Sequence, residues 1–316
     1  MRLETVDRTC NAIIDEVGKA IVGKREVMER VMLSILCDGH MLFEDYPGLA
    51  KTLMAKSFAT ASGCEFKRVQ FTPDLLPSDI TGTYIYRREE GSFDLRKGPV
   101  FTNILLADEI NRAPPKTQAA LLEAMQEKQV TLDGNTHSLP RPFIVLATQN
   151  PLEYEGTYPL PEAQVDRFLL KTPVGYPNPE EEGRILLRRK ERQRDEVDLE
   201  PVCTPTTIME MQEGVEQVHV EDSMRDYMVS IVEATRRNSQ LEVGASPRGT
   251  LALMRLSMAR AALRGRDYVT PDDVKSVAIP SLAHRLILLP DPWIKGVRAE
   301  QVMERVLAEI PVPKVD

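Results

Sequence analysis

Apolar residues recur at helical spacing over residues 5–37, where Val6, Ile13, Ile14, Val17, Ile21 and Val22 share a face and Gly18 and Gly23 punctuate it. Beyond this lead-in the chain shows short apolar runs separated by helical stretches: MLFE at 41–44, FKRVQF at 66–71, NILLAD at 103–108, FIVLAT at 143–148 and FLLKTPV at 168–174. That alternation predicts a parallel sheet with crossover helices. Between the third and fourth runs, VTLDGNTHSL alternates around Asp133-Gly134, a dipeptide suited to a tight hairpin turn. From GYPNPEEE onward strand signals largely stop. Asn178 can cap a helix with Pro179 in its first position and Glu180 to Glu182 in its first turn. Ser246-Pro247, and Thr270-Pro271 with Asp273, repeat this grammar. The expected organisation is an α/β domain over residues 1–200 and an α-helical domain over 201–316.

Composition narrows the class. A length of 316 residues suits two domains, and 42% hydrophobic with 28% charged residues is ordinary globular usage. The net charge of −8 disfavours a protein whose main task is to hold nucleic acid. Cys10, Cys37, Cys64 and Cys203 lack metal-ligand spacing and read as reduced core residues. His40, His137, His219 and His284 stand far apart and read as packing or surface residues. RILLRRKERQRDE at 184–196 reads as a solvated helix face. No run reaches the ~18 apolar residues of a membrane span and the start carries acidic residues, so a cytoplasmic protein without membrane insertion is expected.

Candidate chemistry begins after the first strand. The window Asp45, Tyr46, Pro47, Gly48, Leu49, Ala50, Lys51, Thr52 and Leu53 lies between a strand and a helix, the setting of a phosphate-binding loop. Lys51 would reach β and γ phosphates and Thr52 would offer its hydroxyl to Mg²⁺. Asp45 and Ala50 stand where the GxxxxGK[ST] pattern has glycine, so an ordinary strand-turn-helix remains the alternative.

Asp108 and Glu109 leave the buried strand NILLAD as adjacent carboxylates, which permits a division of labour. Asp108 would help hold hydrated Mg²⁺ and Glu109 would orient the attacking water; the alternative is a solvated acidic pair. Asn150 could hydrogen-bond that water or the γ phosphate, or merely form the turn before Pro151. Arg167 is either a surface arginine or, in a ring, a group entering the neighbour's site. Arg248 is either a solvated first-turn residue or a lid group touching the γ phosphate.

The strings GHMLFEDYPGLAKTL, RVQFTPDLLPSDITG, ILLADEINRAPPKTQAALLEAMQE, ATQNPLEYEGTYPLPEAQVDRF and GASPRGT resemble the MoxR family of AAA+ ATPases over roughly residues 10–310. The resemblance implies a P-loop core with a parallel five-stranded sheet of order 5-1-4-3-2, an all-α lid and, usually, a hexameric ring. It implies Walker A at Lys51 and Thr52, Walker B at Asp108 and Glu109, sensor 1 at Asn150, the arginine finger at Arg167 and sensor 2 at Arg248. Residues 130–139 look like the pre-sensor hairpin, and Thr72 to Phe101 like the helix-2 insertion shared with magnesium chelatase subunits. It further implies ATP and Mg²⁺ as ligands, protein clients, and partners with a von Willebrand factor A domain.

Family members commonly read GVPGLAKT, so Asp45 is a departure. Two unit charges ~4 Å apart at an effective dielectric near 20 repel by about 4 kcal/mol, which favours a loop with Asp45 turned out to solvent. Mg-ATP binding that strengthens in Asp45→Gly is expected on that basis. Beside the remodelling motor stand two other readings, a nucleic-acid motor and a nucleotide-gated scaffold with weak hydrolysis.

Overall fold

Strands buried on both faces must be covered by helices on both sides, and the runs MLFE, NILLAD and FIVLAT form such strands. The computed structural model describes residues 3–89, 91–151 and 156–313. Residues 152–155, within the string around Asn150, lie outside that set.

Helices α1 (Leu3–Ala20) and α2 (Arg25–Leu36) precede β1 (Met41–Glu44), α3 (Lys51–Ala61), β2 (Phe66–Gln70), α4 (Pro77–Thr81), β3 (Gly82–Arg87), β4 (Ser92–Lys97) and β5 (Ile104–Asp108). Next come α5 (Pro115–Glu127), β6 (Gln129–Leu132), β7 (Asn135–Ser138), β8 (Ile144–Gln149), α6 (Glu162–Val165) and β9 (Leu170–Thr172). The rest is α7 (Pro179–Arg192), α8 (Pro205–Val215), α9 (Asp222–Arg237), β10 (Leu241–Val243), α10 (Pro247–Leu263), α11 (Pro271–Leu282), β11 (Ile287–Leu288), α12 (Pro290–Ile294) and α13 (Ala299–Glu309).

Five strands form one sheet in the order β2-β5-β8-β1-β9, which is the expected 5-1-4-3-2 when these strands are counted along the chain. The described pairs β2–β5, β5–β8 and β1–β8 are parallel, with Gln70 opposite Asp108, Leu106 opposite Leu146 and Glu44 opposite Gln149. Residues 104–107 and 144–148 are buried throughout, as fits the two central strands. Because the strands run in parallel, their carboxyl ends gather at one edge. In open α/β sheets that edge is where ligands bind.

The remaining elements follow local chemistry. Asp133 and Gly134 take φ of 48° and 81°, the left-handed pair that a two-residue turn between β6 and β7 requires. The stretch 72–101 contains α4 and the β3–β4 hairpin. Asn178 caps α7 by accepting from Glu181 N at 2.8 Å, and no residue of α7 is buried. Asp273 accepts the Thr270 N–H at 2.8 Å, whereas the buried Ser246 hydroxyl makes no capping bond. Cys10 and Cys37 are buried, but Cys64 and Cys203 are half-buried rather than core residues.

Two compact units emerge. One comprises Ala12–Leu160 and Thr172–Met209; the other comprises Met1–Asn11, Pro161–Lys171 and Glu210–Asp316 in their described residues. The division differs from a single cut at residue 200, because α6 and the turn after it pack with the helical unit. That unit also carries a short antiparallel pair, β10 with β11, so it is not purely helical. Among the described residues no helix is long and apolar enough to cross a membrane.

Two histidines set a pH dependence. His40 Nδ1 accepts from Val145 N at 3.0 Å and its Nε2 lies 2.9 Å from Met125 O, which fixes a neutral tautomer. Burial holds it well below the usual value, with the Lys128 charge adding to the effect. In the helical unit burial first, and Arg285 second, lower His284 to about 3. Folded-state values below the unfolded one mean that the unfolded chain binds more protons, so stability is complete above pH ~6.5 and is lost as pH falls. Unfolding free energy measured with denaturant should drop by about 1.4 kcal/mol per histidine between about pH 7.5 and 5.5. Equal stability at the two pH values would refute this.

Candidate functional site

The loop 45–50 crosses from the tip of β1 to the start of α3, and its tight turn rests on Gly48 and Ala50, with φ of 83° and 56°. Glycine occupies that region freely, while alanine there costs roughly 1–2 kcal/mol. Asp45 is not among the residues with positive φ, so this position does not need a glycine for conformation.

Nor is Asp45 turned out to solvent, which corrects the sequence-based expectation. It is 6% exposed. Oδ1 accepts from Tyr46 N at 2.8 Å, and Oδ2 accepts from Val174 N at 2.8 Å and Gly175 N at 2.6 Å. Buried N–H groups need partners, and a carboxylate supplies several acceptor sites at once. Lys51 Nζ donates to the main-chain oxygens of Asp45 at 2.7 Å and Tyr46 at 2.8 Å. Burial lowers the Lys51 pKa, while the carboxylates of Asp45, Asp108 and Glu109 oppose that shift.

At the tip of β5, Asp108 Oδ1 accepts from Thr148 Oγ1 at 2.6 Å, and Oδ2 accepts from Arg68 Nη2 at 2.7 Å and Nε at 3.1 Å. The next residue, Glu109, has φ 56° and ψ 51°. Its N–H donates to Thr148 Oγ1 at 2.8 Å, and its Oε2 receives Gln70 Nε2 at 2.7 Å and Arg112 Nε at 2.9 Å. One hydroxyl therefore holds the Asp108 side chain and the Glu109 backbone together. A left-handed non-glycine residue at a strand tip is local strain of the kind that collects at functional sites.

Asn150, 8% exposed, directly follows β8 beside them and its carbonyl accepts from Asn111 Nδ2 at 3.4 Å. Lys51, Thr52, Asp108, Glu109 and Asn150 all line one cleft of about 440 Å³. Arg68, Gln70 and Thr148 line it too and had not been singled out from the sequence. Their signal is positional: Arg68 and Gln70 are alternate residues near the end of β2, which puts both on one face.

A second, apolar cleft of about 170 Å³ also went unforeseen. It shares Gly48, Leu49, Ala50 and Leu53 with the first, and its walls include Ile21, Val22, Val174 and Pro177.

The donor set suits Mg²⁺. Thr52 supplies a hydroxyl and Asp108 a carboxylate to the same cleft. Among the described residues no three His, Cys, Asp or Glu side chains form a metal cage. Mg²⁺ takes one or two carboxylates with waters and phosphate oxygens rather than an all-protein cage.

Arg167 and Arg248 belong to the helical unit. There Arg248 Nη1 donates to Asp166 Oδ2 at 3.2 Å. Asp166 also pairs with Arg285, whose side chain is 3% exposed and whose Nη2 donates to Phe168 O at 2.9 Å. The structure thus brings Asp45 to Leu53, Asp108, Glu109 and Asn150 together in one unit. In the other, it seats Arg248 on the neighbour of Arg167.

Residues 40–170 match the ATPase family associated with various cellular activities (AAA), and residues 233–306 match the AAA lid domain. The chain is 47% identical to YeaC of Bacillus subtilis over 95% of its own length and 93% of the relative's. It is 45% identical to Chaperone MoxR1 of Mycobacterium tuberculosis, over 98% of this chain and 83% of that protein. The chain belongs to the MoxR family of AAA ATPases. A solved structure of a candidate ATPase from Cytophaga hutchinsonii superposes with a TM-score of 0.92 at 42% identity, over 98% of this chain and 96% of that one. This MoxR-family chain therefore has the AAA core and hydrolyses ATP. All residues lining the 440 Å³ cleft fall within the matched 40–170 segment.

Proposed function

We propose that the two joined clefts bind Mg-ATP and that this MoxR-family ATPase works as a ring, converting hydrolysis into remodelling or maturation of protein complexes. The convergence of Lys51, Thr52, Asp108, Glu109 and Asn150 on one cleft, continuous with an apolar cleft, carries the reading. The first cleft has the charge pattern for a triphosphate, and the second has the apolar walls for a base.

Lys51, already desolvated and aimed along the loop, meets the β and γ phosphates, while the left-handed turn at Gly48 and Ala50 presents N–H groups to them. Mg²⁺, when bound, would supply positive charge that offsets the charge of the phosphates. Thr52 and Asp108 are the residues that would hold it. Glu109, clamped by Gln70, Arg112 and Thr148, orients water and takes its proton. The Asn150 amide steadies that water or the γ phosphate. Arg167 stabilises transferring charge in a neighbour's site, and Arg248 couples the lid to the γ phosphate through a pairing that competes with Asp166.

A protein client is favoured over nucleic acid by the net charge of −8, and over a passive scaffold by the engaged Glu109. The name of MoxR1 as a chaperone agrees with this reading. A homo-hexamer located in the cytoplasm, with a von Willebrand factor A domain partner, completes the proposal.

The test is capture by tagged Glu109→Gln in ATP and in ADP. A defined protein retained with ATP and released with ADP is the expected result. No ATP-dependent protein, together with turnover stimulated by single-stranded DNA, would overturn it in favour of a nucleic-acid motor.

A further inference from the structure

Asp45 bonds to the walls of both clefts. Its carbonyl oxygen accepts Lys51 Nζ at 2.7 Å on the phosphate side. Its carboxylate reaches the other way, where Oδ2 takes the consecutive N–H groups of Val174 and Gly175 at 2.8 and 2.6 Å. Those two residues form a wall of the apolar 170 Å³ cleft. Gly175 has φ 72° and is half-buried, while Val174 is 7% exposed, so the chain bends here with the Val174 N–H held away from water. The next residue, Tyr176, stands with its ring 6.0 Å from that of Tyr46, and its carbonyl accepts Lys24 Nζ at 2.7 Å.

One anionic oxygen gripping two successive N–H groups is a charge-assisted clamp, stronger than neutral contacts. Without it, one buried and one part-buried donor lose their acceptor and the wall loses the group that sets its position. Both carboxylate oxygens are engaged by backbone donors, Oδ1 by Tyr46 N in the phosphate-side loop and Oδ2 by the wall.

We propose that Asp45 is a positioning residue for the nucleotide base: from within the phosphate-side loop it fixes the Val174–Gly175 wall, and through that wall the fit of adenine. The inference rests on the reading of the joined clefts as a nucleotide site. A small apolar cleft of fixed width disfavours guanine, whose additional polar edge groups would be left without partners there. If the wall moves, that discrimination weakens while phosphate contacts survive.

The test is calorimetric titration of the full chain as wild type, Asp45→Gly and Asp45→Asn with ADP, GDP and tripolyphosphate. The Asn variant keeps the shape of the side chain but removes its charge and turns one of its two acceptor positions into a donor, so it separates loss of the charged clamp from loss of volume. Both variants should bind ADP about tenfold more weakly, the scale of one charge-assisted hydrogen bond, and lose a similar factor of ADP-over-GDP preference. Tripolyphosphate affinity should not fall, because the substitution removes no group placed against phosphate and takes a negative charge away from near Lys51.

Tighter binding of ADP and tripolyphosphate in the variants would overturn the proposal in favour of simple charge repulsion. An equal loss for all three ligands, with the ADP-to-GDP ratio unchanged, would reduce Asp45 to a structural residue. Wild-type protein that binds no ADP would overturn the nucleotide-site reading and this inference with it. Wild-type binding with an unchanged ratio in the variants would overturn this inference alone.

Discussion

Glu109→Gln is expected to cut ATP turnover by about 10²–10³-fold, the usual contribution of a positioned general base. The substitution is nearly isosteric, so the partners seen here can persist: Gln70 Nε2 and Arg112 Nε donate to Oε2, and an amide oxygen accepts either. What disappears is the capacity to take a proton from water. The main-chain geometry should also survive, since the Glu109 N–H is held by Thr148 Oγ1 at 2.8 Å whatever the side chain. Nucleotide affinity should accordingly change by less than about threefold, the mark of a group acting mainly in the transition state. Phosphate release gives the rate, and a fluorescent nucleotide gives the affinity. An unchanged rate in an assembled preparation would remove Glu109 from the chemistry and favour the nucleotide-gated scaffold.

Arg167→Ala should lower turnover by about 10³-fold at saturating ATP, the lower end of what an arginine supplied to a phosphoryl-transfer site contributes. Lys at this position should not restore it, because an ammonium lacks the planar fork of donors. Arg167 follows Asp166, which is occupied by Arg248 and Arg285, so loss of the Arg167 guanidinium leaves both pairings in place. The defining measurement is mixing. In a co-assembled preparation of Arg167→Ala and Glu109→Gln subunits, a site with an intact Glu109 can receive an intact Arg167 from its neighbour. Activity should reappear in the mixture although each variant alone is nearly inactive. A mixture as inactive as its components would show that Arg167 does not act across a subunit boundary.

Much of this was legible in the linear chain because it depends on nearest neighbours. The runs MLFE, NILLAD and FIVLAT are buried strands because uninterrupted apolar segments of that length have few other stable fates. Asp133-Gly134 forms the hairpin turn because its left-handed geometry suits those residue types. Asp108, Glu109 and Asn150 sit at or just past strand ends and Lys51 and Thr52 follow the loop after β1, and parallel strands bring such positions to one edge.

Other features depend on which strands become neighbours and on where a side chain turns. Arg68 and Gln70 read as polar residues of an edge strand, and only the β2–β5 register sets them on Asp108 and Glu109. Thr148 gains its role from the alignment of β8 with β5. The helical unit draws in residues 161–171 because Asp166 and Phe168 find their partner, Arg285, more than 100 positions away.

Asp45 marks the boundary most clearly. Its place in a phosphate-side loop is local information, and Coulomb's law alone sends its charge to water. The folded chain offers a competing solution in the N–H groups of Val174 and Gly175, 129 and 130 residues further on, which donate to it. The sequence by itself determined most element types, which residues stand at the strand ends, and the family. The tertiary structure alone decided which distant donors met that carboxylate, because hydrogen-bond satisfaction in a buried site is settled by the whole packed chain rather than by neighbours in sequence.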